Sequence, residues 1–324
     1  MTATAVRPAA KRVGWGDLLW IGWRQHRLML AGTGVLTLGL AAVMTALGLY
    51  AASTGDVRAS ILGFSSVTGT AQLAVAAVMG YSALIAVFWA APLLAREYEQ
   101  RTHLLVWSQD VSAARWLIGK ATLLTVVAVA LSLVLGTASN VMMHQINAAK
   151  AGDYPSFNLF DTQYFEVVPL VQAGYALFGF ALGLAVSALS RRTVLSMGVT
   201  FGIFFVVRGA IAQLVRPYYQ PPVRVTYPLD GQTEQVYHTL YVSSGMLDAA
   251  GNPVEYPTAC NRGYSDADGY RQCLTEQGVV SNYRDFQPTD RLGTFQLIEF
   301  GIYTVLAAGL FVLAWSTLRR VSRL

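Results

Sequence analysis

Residues 116–143 read WLIGKATLLTVVAVALSLVLGTASNVMM, and beyond Lys120 no Asp, Glu, Lys or Arg interrupts the chain before Lys150. A helix needs about 20 largely apolar residues to cross roughly 30 Å of hydrocarbon, and this stretch exceeds that. Irregular backbone cannot face lipid, so such a window is expected to be helical throughout. Five more windows on either side meet the same test, at 28–51, 71–94, 167–189, 193–214 and 293–317. Pro92 and Pro169 fall near window ends, where a proline is tolerated as a kink or first-turn residue. The expected fold class is an all-α integral membrane protein with six transmembrane helices.

Composition agrees. The chain is 54% hydrophobic and 13% charged, with mean hydropathy +0.43, whereas soluble domains carry about 25% charged residues. A net charge of +5 would suggest nucleic acid for a soluble protein. Here the placement of the basic residues matters more, because Lys and Arg orient helices across a bilayer. Membrane lipid is therefore the expected partner, and nucleic acid is not.

Counting charges on alternate sides of the windows sets the orientation. Arg7, Lys11, Arg12, Arg24, Arg27, Arg96, Arg101, Arg115, Lys120, Arg191, Arg192, Arg319, Arg320 and Arg323 fall on one side, against only Asp17, Glu97, Glu99 and Asp110. The short connections on the other side add only Arg58 and Lys150, and acids outnumber bases in the long insertion before the last window. Both termini are thus expected in the cytoplasm. The N-terminus opens with polar, basic residues rather than a signal-peptide core, so no cleavage is expected.

Four regions follow: a cytoplasmic N-terminus with an amphipathic segment (1–27), five spans (28–214) with a cytoplasmic loop at 96–115, an extracellular insertion (215–292), and the last span with the C-terminus (293–324). In the first, Trp15, Leu18, Leu19 and Trp23 recur at helical spacing, the pattern of an elbow helix lying in the membrane interface. The alternative is an extension of the first span. In the 96–115 loop, Glu97 and Arg101, and Glu99 and His103, are spaced i,i+4, so its first half can form a short charged helix. By itself such a loop reads as a solvated connector. The insertion is rich in Pro, Gly, Tyr and Asp, with turn signals at Pro221–Pro222, Asp230–Gly231 and Asp268–Gly269. It reads as a small ordered domain of mixed or irregular structure.

Cys260 and Cys273, the only cysteines, both fall in that insertion. Facing an oxidising compartment, they are expected to form a disulfide, with free thiols the alternative. They are too few for a tetrahedral zinc site, and no metal is expected. No HExxH pair, G-x-S-x-G elbow or P-loop is present, so the chain is not expected to be an enzyme by itself. Any ATP and Mg would sit on a partner. Charged residues inside spans are functional candidates. Arg208 in the fifth window and Glu299 in the sixth lie at similar depth near the outer surface. They either pair with each other or snorkel to the outer water.

A loop of the form E-x-E-x-x-T between the second and third spans, here Glu97, Glu99 and Thr102, is followed by Ser112, Arg115, Trp116 and Lys120. With the elbow, the six spans and the outer segment before the last span, this resembles the membrane subunits of type-two ABC exporters. The resemblance implies that Glu97, Glu99, Thr102, Leu104 and Leu105 belong to a coupling helix seated in an ATP-binding subunit. It further implies two permease chains, as a homodimer or related heterodimer, above two ATPases in a bacterial cytoplasmic membrane. Their substrate would be an exported lipophilic drug, antibiotic, lipid or peptide. The competing expectations are a transporter driven by an ion gradient, or a non-transporting anchor that presents the outer domain. The former prefers repeated broken helices and midplane carboxylates.

Overall fold

The computed structural model describes residues 14–60, 66–100, 113–150, 154–231, 237–261 and 267–321. Among them, six helices are long and apolar enough to cross a membrane. They are α1 (Trp15–Thr54), α2 (Val67–Glu99), α3 (Ala113–Ala149), α5 (Pro169–Ser190), α6 (Thr193–Tyr218) and α8 (Leu292–Val321). A single turn, α4 (Thr162–Phe165), precedes α5, and α7 (Ala267–Glu276) lies in the insertion. All six expected windows are helical, apart from Val167 and Val168, which lead into α5.

The helix ends follow from local chemistry. Asp17 accepts the Gly14 N–H at 2.9 Å and so caps the start of α1, while Gly55 ends it in the left-handed conformation that a glycine adopts without strain (φ 67°). Ser66 Oγ accepts the Gly69 N–H at 2.9 Å at the start of α2. Pro169 opens α5, where its missing N–H has no intrahelical partner to lose. Only Arg191 and Arg192 separate α5 from α6.

The segment expected as an elbow is continuous with the first span in α1. This helix runs unbroken for 40 residues, about 60 Å at the helical rise and twice the hydrocarbon thickness. Residues 14–27 form its first turns rather than a separate helix, because nothing between Arg24 and Leu28 breaks helical hydrogen bonding. Leu18 is buried against the start of α3, where a Cβ on Gly119 would lie 3.1 Å from the Leu18 Cβ. Trp15, Leu19 and Trp23 remain exposed, and the Arg115 guanidinium stacks 5.0 Å over the Trp15 ring.

Helix α5 is the hub of the bundle: 78% of its span is buried, against 22% for the last span. It packs on α2, α3, α6 and α8. Close approach to α2 depends on Gly183, whose position leaves no room for a Cβ, with the Ala86 carbonyl 2.6 Å and the Ala90 Cβ 2.7 Å away. At this contact α2 widens into a π-helical turn, Ala86–Ala90, just before Pro92. The freed N–H groups of Leu94 and Ala95 donate instead to Ser187 Oγ of α5, at 3.1 and 2.7 Å.

The insertion between α6 and α8 carries a four-stranded antiparallel sheet, order β1-β4-β2-β3. Its strands are β1 (Val223–Pro228), β2 (Leu240–Leu247), β3 (Pro253–Val254) and β4 (Ser281–Gln287). Cys260 and Cys273 are joined as expected, with their Cα atoms 5.8 Å apart. They sit in a small core with Leu274 and Val279. The sheet is fastened to the bundle by Gln287, whose amide donates to the carbonyls of Pro217 and Gln220 at 2.9 and 2.6 Å.

Candidate functional site

The two ends of the bundle hold different polar constructions. At the end that carries the termini, three consecutive residues at the close of α2 reach three separate elements. Glu97 pairs with Lys120 of α3 at 2.8 Å. Tyr98 lies under the Arg191 guanidinium, 5.4 Å from its ring centre. Glu99 accepts the Thr193 N–H at 2.9 Å and the Thr193 hydroxyl at 2.6 Å. Successive helical residues point about 100° apart, so one turn can brace α3 on one side and the α5–α6 turn on the other. Lys120 is buried, its ammonium 4.9 Å from the Trp116 ring centre. The two carboxylates of the E-x-E pattern therefore have partners within the chain and fix the point where the 101–112 loop departs. Thr102, Leu104 and Leu105 lie outside the described residues.

At the opposite end, two Glu and two Arg form a buried lattice with no net charge. Glu166, just after α4, accepts from Arg208 through Nε at 2.7 Å and also through Nη2. Its other oxygen accepts from Arg216 Nη2 at 2.9 Å. Arg216 continues to Glu299 of α8 through Nε and Nη2, both at 2.8 Å. Tyr175 of α5 donates to Glu299 at 2.7 Å, and Tyr219 donates to it at 3.2 Å. Arg208 Nη1 donates to the Met79 carbonyl of α2 at 2.7 Å. Gln172 extends the lattice by donating to the Glu166 carbonyl and accepting from Ser82, each at 2.9 Å. None of the four charged residues exceeds 5% exposure.

Arg208 and Glu299 both join this lattice, but not as the pair that the sequence suggested. They do not pair directly, nor do they snorkel: Arg208 is bonded to Glu166 and Glu299 to Arg216. The helix geometry explains how Arg208 and Arg216 share one carboxylate. Eight residues of regular α-helix turn about 800°, which would leave the two about 80° apart. A π turn at Ile211–Val215 intervenes. Its extra residue absorbs about 100°, bringing the two guanidinium groups to within about 20° of one face. Glu166 and Arg216 were missed because each lies just beyond an apolar window. An acid immediately before one span and an arginine immediately after the next is the signal that would have found them.

A buried carboxylate is stabilised only by partners that satisfy its lone pairs, and losing one partner leaves a costly charge. The lattice thus locks α2, α5, α6 and α8 in one arrangement at this end, as the Glu97–Glu99 brace does at the other. Both constructions hold α2 and α6 against the hub helix α5, and both helices contain a π turn, a common place for a helix to adjust.

Residues 26–216 match the family described as ABC-2 membrane transporter related. That range is more than half of the chain and runs from within α1 to the arginine that completes the lattice. The chain belongs to that family. It is a multi-pass membrane subunit of an ABC transporter, in a family whose permeases work with an ATP-binding subunit and are not themselves catalytic. The brace and most of the lattice lie inside the matched range, whereas the sheet of the insertion and α8, with Glu299, lie beyond it. No curated protein matches this permease.

Proposed function

We propose that this permease is the membrane half of an ATP-driven exporter in a bacterial cytoplasmic membrane, with both termini and the 101–112 loop in the cytoplasm and the sheet domain outside. Arg and Lys concentrate at the termini end, the arrangement that the positive-inside rule assigns to the cytoplasm. Two permease chains form the pathway, and two ATP-binding subunits beneath them carry ATP and Mg. The observation that supports this reading best is the brace at the close of α2. It holds the base of the loop rigidly against α3 and the α5–α6 turn, so a push on the loop moves three spans together. Glu97 and Glu99 set the loop's direction, and Thr102, Leu104 and Leu105 form its contact with the ATPase. The cargo is a lipophilic or amphipathic compound, in keeping with apolar grooves between the spans.

An ion-gradient carrier fits less well, since both buried carboxylates of the lattice, Glu166 and Glu299, are neutralised by arginine. The test is to isolate the chain from its native membrane and probe for an ATP-binding subunit held with it. The reading requires that subunit, and requires that Leu104→Asp/Leu105→Asp abolish its recovery while the permease stays in the membrane. Recovery of the permease alone, or a complex indifferent to the double change, overturns it.

A further inference from the structure

Two cavities at the insertion end adjoin at Met79 and Thr162, which line both, and together make up a trough. The lower part, about 440 Å³, lies between α2 and α6 against Ala76, Gly80, Phe205 and Gly209. The upper part, about 520 Å³, passes Asn158, Asp161 and Gln163 and ends beneath the start of β2 at Thr239–Tyr241. Each is within the range of roughly 300–1,000 Å³ that holds a drug-sized ligand. The trough therefore runs from an apolar flank of the bundle to a polar rim under the sheet domain.

Its charge is one-sided. Glu166 and Arg208 at its floor cancel each other within the lattice. Asp161 on the rim is exposed, and its Oδ1 accepts from the neutral Asn158 amide at 2.8 Å. Among the described residues, no Lys or Arg lines the upper part. Gly80 and Gly209 leave the lower wall open, for a Cβ at either position would meet nothing within 4 Å. A lower part walled by Ala76, Met79, Phe205 and Ala212 over a neutral ion pair, with a carboxylate at its mouth, suits a molecule with an apolar body and a positive end.

We propose that this trough binds an amphipathic organic cation, apolar body between α2 and α6 and charge toward Asp161, as the outward end of the transport route. The proposal rests on the transport reading for its purpose, but binding is measured on the permease alone, without the ATPase. The probe is tetraphenylphosphonium, with tetraphenylborate as its anionic counterpart of equal shape, in equilibrium dialysis against the chain in lipid nanodiscs. The cation should bind more tightly than the anion. Gly209→Phe, which fills the lower wall without displacing backbone, should weaken cation binding at least about tenfold, and Asp161→Asn by a few-fold while narrowing the preference over the anion. Thr122→Phe, placed in the separate apolar groove beside Leu117 and Trp315, should leave binding unchanged. Equal binding of both ions with a silent Asp161→Asn overturns the proposal, as does equal loss in Thr122→Phe or retention in Gly209→Phe. A covalent dimer formed through Gly209→Cys would place a second copy in the trough and overturn it too. Loss of the ATPase partner, by contrast, bears only on the transport reading.

Discussion

Glu99 caps the helix that begins at Thr193: one carboxylate oxygen takes the backbone N–H at 2.9 Å, the other the hydroxyl at 2.6 Å. The two residues are 94 apart in sequence. They tie the close of α2 to the opening of α6 at a site where the helix has no side-chain cap of its own from Arg192. Glu99→Ala should therefore free the first turn of α6. Hydrogen exchange over residues 190–200 should quicken in Glu99→Ala, less in Thr193→Ala, which keeps the bond from the backbone N–H, and in the double variant no more than in Glu99→Ala. Unchanged exchange in either would remove the cap.

Glu97 and Lys120 form the other arm of the brace, both largely buried. Breaking a buried pair from one side costs about 3–5 kcal/mol, and the residual exposure of Glu97 brings this case below that range. Glu97→Lys should lower the melting temperature and reduce recovery of the ATP-binding subunit. The exchange Glu97→Lys/Lys120→Glu should restore both in large part. If the charge matters only for contact with the ATPase, the exchanged protein will fold well and still fail to assemble.

The lattice makes a prediction about coupling between substitutions. Glu166→Gln leaves Arg208 and Arg216 facing a single carboxylate, Glu299, in a buried site, and should cost about 3–5 kcal/mol. Arg216 keeps Glu299, so Arg208 is the charge left stranded, and adding Arg208→Met removes it. The double variant should be more stable than the sum of the single effects by at least about 1 kcal/mol in a thermodynamic cycle. Additive losses would mean that Glu166 and Arg208 do not share the lattice in the membrane.

Gly183 tests the hub. Alanine there drives a methyl into the Ala86 carbonyl and the Ala90 side chain, both under 3 Å away, and overpacking of this kind costs about 1–3 kcal/mol. Gly198→Ala in α6, where nothing lies within 4 Å, should be neutral or slightly stabilising. Equal thermal stability of the two variants would show that α2 and α5 do not approach as described.

The spans were legible because a charge-free apolar run has few alternatives in a bilayer, and each of the six windows lies within or against a helix. Side-chain partnerships were not. Arg208 was visible as an intramembrane charge, but its partner Glu166 follows α4, a turn too short for periodicity to register. The π turn that aligns Arg216 with Arg208 leaves no mark in the pattern of Ile211–Val215. The sheet was only half visible: the insertion read as a small domain of mixed or irregular structure, and β2, Leu240–Leu247, went unplaced. Its partner β4 is polar enough to pass for loop. The cysteine pair was legible because two lone cysteines in one insertion, 13 residues apart, have one ready intramolecular outcome.

His238 makes the fastening of the sheet domain sensitive to acid. Its backbone is left-handed (φ 57°), its carbonyl accepts the Thr289 hydroxyl at 3.1 Å, and its Nδ1 accepts the Leu159 N–H at 3.2 Å. That last bond requires a neutral ring. Burial lowers the His238 pKa, the nearby His144 lowers it further, and Asp161 pulls it back only in part. The folded state therefore takes up the proton less readily than the unfolded one, whose histidine titrates near about 6.5. The stabilising contribution is complete above that value and is lost as the pH falls below it. Asp285 behaves differently: its bonds from Arg224, and then from Ser243, lower its pKa, so its contribution is lost only below about pH 4. The two losses separate on the pH axis. Protection from hydrogen exchange over residues 154–162, relative to the intrinsic rates, should fall as the pH drops below about 6.5, before β4 loosens. His238→Asn keeps a side chain that tolerates the left-handed backbone and removes the titrating ring. It should abolish the first phase and leave the second, with the Cys260–Cys273 bond intact throughout. An unaltered pH profile in His238→Asn would mean that the ring does not hold the Leu159 turn to the sheet domain.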